Sequence, residues 1–101
     1  MSPADERIVV HVDEDLHDLI PEYLARRREE VTAMDKALAR GDYDAIRVIG
    51  HKLKGSGAGY GFAPITTLGG ELEVAAKAGD AGAIARSLAA LADYLARVDV
   101  A

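Results

Sequence analysis

The chain has 101 residues, a formal charge of −5, a pI near 5.1 and no cysteine. That length makes one domain, the absent cysteines exclude a disulfide framework or thiolate metal site, and the acidic whole-chain balance argues against duplex binding, which needs a basic face, while leaving room for a local basic patch. Half the residues are apolar and only 5% aromatic, no apolar run could span a bilayer, and the polar start MSPADER carries no signal-peptide pattern, so a helical, cytoplasmic protein without nucleic-acid or membrane partners is expected.

Residues 7–12, RIVVHV, alternate loosely, with Ile8, Val10 and Val12 on one side. This is the single strand-like stretch. A lone strand has no partner for its backbone groups, so residues 1–12 are expected to be an extended arm or a fraying lead-in ahead of a helical domain over 13–101. Asp13 can cap a short helix through Leu16, Leu19 and Ile20. Pro21 suits the first turn of the next helix, where its missing N–H costs little. That helix is predicted from about Pro21 to Arg40, with Leu24, Val31, Met34 and Leu38 as its apolar stripe and Arg27 in the gap. The run Arg26-Arg27-Arg28-Glu29-Glu30 reads as a solvated face.

Gly41 is a helix stop and Asp42 a helix start. The next helix carries Ile46, Ile49 and Leu53 on one stripe and ends among glycines near Tyr60, with Gly61 in the turn. Pro64 opens another, with Ile65, Leu68, Leu72 and Ala75 at helical spacing. Gly79 stops it, and Asp80 caps the last helix, whose stripe is Ile84, Leu88, Leu91, Leu95 and Val98. Long amphipathic segments joined by short turns are antiparallel neighbours. The predicted architecture is all-α, an antiparallel up-down four-helix bundle with a short additional N-terminal helix. Such a bundle completes its own core, so a monomer is expected.

At about 100° per residue, His51 falls roughly 180° from the centre of the Ile46–Ile49–Leu53 stripe. It therefore points away from the core. Gly55, Val48, Ala58, Arg47 and Lys54 fall around it, and Lys52 lies on the other flank. Glycine inside a helix costs about 1 kcal/mol relative to alanine, so Gly55 asks for a reason. Access is one: without a side chain at i+4, a bulky partner can approach the ring. Lys54, at i+3, can reach an anion held on a ring nitrogen. The bland alternatives are a solvated histidine and glycines that only end a helix.

Other chemistries fail in context. The segment GHKLKGSGAG lacks the G-K-[ST] order of a phosphate loop, and no strand precedes it. His11, His17 and His51 lie in separate elements without zinc-ligand spacing. Ser56 would face the core side with no evident base, so a hydrolase is not expected.

The run His51-Lys52-Leu53-Lys54-Gly55-Ser56, with Gly61 ten residues after the histidine, resembles the H-x-L-K-G-[SA] signature of histidine phosphotransfer (HPt) domains. The GSGAGYGF continuation is similar to that stretch in the phosphotransfer domain of chemotaxis histidine kinases. The resemblance covers about Asp42 to Asp80 in motif detail and the whole bundle in helix order. It implies two-component phosphorelay signalling, with His51 as the phosphorylated residue, Lys54 beside the phosphoryl group and Gly55 clearing space for the partner. Glu73 matches the acidic position that hydrogen-bonds the imidazole in chemotaxis-type domains, which would fix its tautomer. Gly57 and Gly59 depart from the larger residues common there, which implies a looser helix end.

The implied partners are response-regulator receiver domains, or the ATP-binding domain of a histidine kinase. Phosphoryl transfer is mostly positioning and charge stabilisation, and this chain offers neither metal cluster nor nucleotide site. It is therefore expected to be a phosphoryl carrier without autonomous kinase activity, binding no cofactor, while the receiver supplies Mg²⁺. Lys54, with Arg47 or Lys52, would offset phosphoryl charge. Gly55, Ala58 and Gly59, with Val48, would form a flat docking surface. The alternative is an HPt-like scaffold that binds a receiver without carrying phosphate.

Overall fold

The structure, a computed structural model, describes residues 6–101. Four helices dominate: α1 (Ile20–Ala39), α2 (Tyr43–Ser56), α3 (Ala63–Lys77) and α4 (Ala81–Arg97). A 3₁₀ helix over Glu14–Leu19 leads into α1, and a 3₁₀ turn, Ala58–Tyr60, follows α2. Each helix packs on its sequence neighbour and α4 returns against α1, which closes the four-helix bundle.

Local chemistry sets the boundaries. The Asp42 side chain accepts from the Ala45 N–H (3.1 Å), and that of Asp80 from the Ala83 N–H (3.0 Å). Each cap satisfies one of the orphan donors of a first turn. Pro21 and Pro64 stand in the first turns of α1 and α3. Asp13 caps the first 3₁₀ helix through the Asp15 N–H (3.0 Å). The core is a stack of fully buried side chains, with Met34 from α1, Ile46 and Leu53 from α2, Ile65 and Leu72 from α3, and Ile84 and Leu91 from α4. Phe62, in the turn before α3, is also fully buried. Burying each of these is worth about 1.5–3 kcal/mol relative to leaving it in water.

Of the expected N-terminal arm, residues 1–5 lie outside the described residues, and Ile8–Val10 is extended and paired, not a fraying lead-in. Strand β1 (Ile8–Val10) pairs in parallel with β2 (Val98–Val100), with Ile8 opposite Val98 and Val10 opposite Val100. Arg7 donates to the Ala96 and Val98 carbonyls (2.9 and 3.2 Å), and Arg97 donates to the Glu6 carbonyl (2.9 Å). Val12 is buried and approaches Gly61, which turns at φ 95°. The strand thus has a partner: α4 stops at Arg97, and Val98 turns extended (φ −67°, ψ 135°) instead of continuing the helical stripe.

The charge run on α1 is not uniformly solvated either. Arg26 pairs with Glu22 in solvent. Arg27, by contrast, lies over the Tyr23 ring, 4.5 Å from its centroid, and is ion-paired to Glu30. Both of those side chains are mostly buried (14% and 21% exposed). A guanidinium can lie flat on an aromatic face while its nitrogens reach polar partners, which is how a charged residue fills the gap in the α1 stripe. Arg28 donates to the Leu95 carbonyl of α4 (3.3 Å).

Candidate functional site

Helices α2 and α3 meet at glycines. A Cβ on Gly69 would lie 2.5 Å from the Lys54 nitrogen, and one on Gly50 would lie 2.9 Å from both the Glu73 nitrogen and the Gly69 carbonyl oxygen. Gly57 is equally tight, 2.6 Å from the Thr66 nitrogen, and its backbone is helical (φ −55°). It is a packing residue and not merely a helix stop. The backbones therefore approach as closely as hydrogen in place of methyl permits, and the side chains of the two helices share one surface.

His51 stands on that surface. Its side chain is 67% exposed, and its Nδ1 lies 2.8 Å from Oε2 of Glu73. Glu73 itself is buried, only 6% exposed. Its Oε1 accepts from Lys54 Nζ at 3.1 Å, and Lys77 Nζ lies 3.9 Å from Oε2. The hydrogen bond from Lys54 holds the Glu73 carboxyl below the usual glutamate range against the opposing effect of burial; the His51 bond and the charges of Lys54 and Lys77 act in the same direction. An ionised carboxylate only accepts. In the neutral ring the proton therefore sits on Nδ1, and the Nε2 lone pair is left free.

Around the ring the surface is open. A Cβ on Gly55 or on Gly59 would meet nothing within 4 Å. Val48 is exposed, as is Ala58, whose N–H donates to Thr66 Oγ1 (2.8 Å). Arg47 is committed to Asp44 by two hydrogen bonds (2.8 and 3.0 Å). Lys52 lies on the opposite flank, in a polar groove with Arg26, Glu29 and Glu30 of α1. Ser56 Oγ is occupied by Tyr23 Oη (3.1 Å) and Arg27 (3.3 Å). Among the described residues no cluster of three His, Asp or Glu side chains could hold a metal ion.

The family model of the Hpt domain matches residues 18–101. The chain belongs to the Hpt domain family. It is thus a histidine phosphotransfer domain of phosphorelays, a class that interacts with receiver domains and kinases. No curated protein and no solved structure is matched by it. No helix among the described residues is long and apolar enough to cross a membrane. Strand β1 lies ahead of the matched region, and its partner β2 lies within it.

Of the residues singled out in the sequence, His51, Lys54 and Glu73 form one hydrogen-bonded constellation. Val48, Gly55, Ala58 and Gly59 are exposed, while Arg47 is held by Asp44 and Lys52 stands apart. Sequence reasoning missed Gly50, Gly69 and Lys77. A signal for Gly69 existed: Gly69-Gly70 in mid-helix carries the same cost of about 1 kcal/mol per residue that made Gly55 informative.

Proposed function

We propose that His51 carries the phosphoryl group, taking it from a receiver-domain aspartate or from the ATP-binding domain of a histidine kinase and passing it to another receiver. One observation carries this reading: an exposed imidazole whose Nδ1 is held by a buried, ionised glutamate, 2.8 Å away. That bond orients the ring and directs the Nε2 lone pair to the approaching phosphorus. As the Nε2–P bond forms, the O–P bond to the donor breaks, leaving the receiver's carboxylate or, on the kinase route, ADP, and the ring keeps its Nδ1 proton. The ring therefore becomes cationic, and Glu73 stabilises the charge that develops.

The receiver would bring Mg²⁺ and the carboxylates that hold it, as phosphoryl transfer requires compensation of charge on the transferring oxygens. Lys54 stands one turn from His51 and would add a cation to those oxygens, whereas Arg47 is held by Asp44 and Lys52 lies on the opposite flank. The open positions at Gly55, Ala58 and Gly59, with Val48, give a docking surface without protruding side chains. Exchange between partners favours a small interface, below about 1,200 Å². The reading carries with it a cytoplasmic, monomeric carrier.

The test is incubation with a phosphorylated receiver and Mg²⁺. An acid-labile, alkali-stable label on the wild type, absent from His51→Gln, supports the carrier. Receiver binding with no label transfer would overturn it in favour of a scaffold.

A further inference from the structure

Oε2 of Glu73, the oxygen that faces His51 Nδ1, has a second cation near it. Lys77 Nζ lies 3.9 Å away, too far for a hydrogen bond and within reach of one small side-chain movement. Lys77 stands one turn after Glu73 on α3, the acid-before-base order at i, i+4 that favours pairing. Its side chain is 60% exposed, and Glu73 is its one ion-pair partner among the described residues. The basic groups within 4 Å of the carboxylate are His51 and Lys54 from α2 and Lys77 from α3, with none from α1 or α4 among the described residues.

Glu73 Oε1 is now held by Lys54. On the reading of His51 as phosphoryl carrier, Lys54 is also the cation that turns toward the phosphoryl oxygens. That turn would leave a carboxylate more than nine-tenths buried without its closest ammonium partner. The bond from His51 to Oε2 remains, but Oε1 loses its donor, and a buried carboxylate oxygen left without a partner is unfavourable. We propose that Lys77 is the reserve counter-ion of Glu73, closing on the carboxylate when Lys54 leaves it for the phosphoryl group. The His51 Nδ1 proton then faces an ionised acceptor in both the free and the phosphorylated state. Lys77 is a positioning residue in this scheme and acts on the ring only through Glu73.

The test is a double-mutant cycle with Lys54→Met, Lys77→Met and the pair, each also examined with Lys77→Arg in place of Met. Nuclear magnetic resonance reads the Glu73 carboxyl titration and the His51 ring-nitrogen shifts. Samples are taken unphosphorylated and after labelling with phosphoramidate, a small phosphoryl donor that needs no receiver. In the unphosphorylated wild-type background, Lys77→Met should move the Glu73 titration by a few tenths of a pH unit. With Lys54→Met, or with phosphoryl on His51, it should raise it by about one pH unit and shorten the phosphohistidine lifetime several-fold, and Lys77→Arg should restore both. An effect of Lys77→Met that is equal in all backgrounds marks an ordinary surface pair and overturns the proposal. If a phosphorylated receiver with Mg²⁺ leaves His51 unlabelled, the carrier reading fails, and the unphosphorylated Lys54→Met background still decides the role of Lys77.

Discussion

Gly69 lies so close to Lys54 that a β-carbon on it would sit 2.5 Å from the Lys54 backbone nitrogen. That atom belongs to a helix backbone and cannot swing aside. Gly69→Ala gains about 1 kcal/mol of helix propensity but incurs overpacking of about 1–3 kcal/mol, and contact with rigid backbone puts it at the upper end. We expect a net loss of about 1–2 kcal/mol, or a Tm lower by about 4–8 °C per kcal/mol in a domain of this size. The helices should part, so the His51–Glu73 bond should be lost from the ring-nitrogen spectrum. An unchanged melting point with that bond intact would contradict the close-approach account.

Gly55 should behave in the opposite way. Nothing lies within 4 Å of its missing Cβ, so Gly55→Ala should raise stability by about 0.5–1 kcal/mol. Gly55→Leu should keep the circular-dichroism helix signal while blocking transfer from a phosphorylated receiver. Transfer at the wild-type rate by the leucine variant would remove the access role assigned to this position.

Two carboxylates give opposite pH dependences. Glu73 titrates below the ordinary glutamate value, chiefly through its hydrogen bond from Lys54. The unfolded chain therefore binds its proton more readily than the folded one, and the stabilisation is present above about pH 4.5 and lost as pH falls through the folded value. Glu30 titrates above the ordinary value because burial outweighs Arg27. There the folded chain binds the proton more readily, so stability falls as pH rises from about 4.5 to the folded value. Urea unfolding between pH 3 and 7 should show the wild-type advantage over Glu73→Gln shrinking on the acid side. Glu30→Gln should remove the decline just above pH 4.5. The reverse pattern in either variant would contradict the assignment.

The Arg27–Glu30 pair is mostly buried, and breaking it should cost more than replacing it. Arg27→Ala leaves Glu30 without its guanidinium and removes a donor from Ser56. The expected loss is about 3 kcal/mol, the lower end for a buried pair. Replacing both, by Arg27→Met with Glu30→Leu, should fall within about 1 kcal/mol of wild type. Chemical denaturation of the three proteins checks both values. A double variant as damaged as the single would show that the pair itself stabilises the bundle.

The bundle was legible where its signals are local. Asp42, Asp80, Pro21 and Pro64 mark helix starts by chemistry that acts within one turn, and the outward direction of His51 follows from helical geometry alone. What one helix cannot encode is its distance from the next. The reach of Glu73 to His51 depends on Gly50 and Gly69, which belong to different helices and matter only together. Arg27 was misread because its charge suggested water, whereas its flat guanidinium could lie on Tyr23. The strand partner of Ile8–Val10 was hidden for two reasons. It lies at the far end of the chain, and Val98 fits a helical stripe as well as it fits a strand.

The ladder between β1 and β2 also bears on the order of folding. Its pairs, such as Ile8 with Val98, close a loop that contains the entire bundle. Three residues per strand offer little to offset the entropy of that closure. Once the helices have packed, the ends are already near each other and most of that entropy has been lost. The ladder therefore assembles last and opens first, a clasp rather than a nucleus. Its amides should exchange with solvent well before those of α2 and α3.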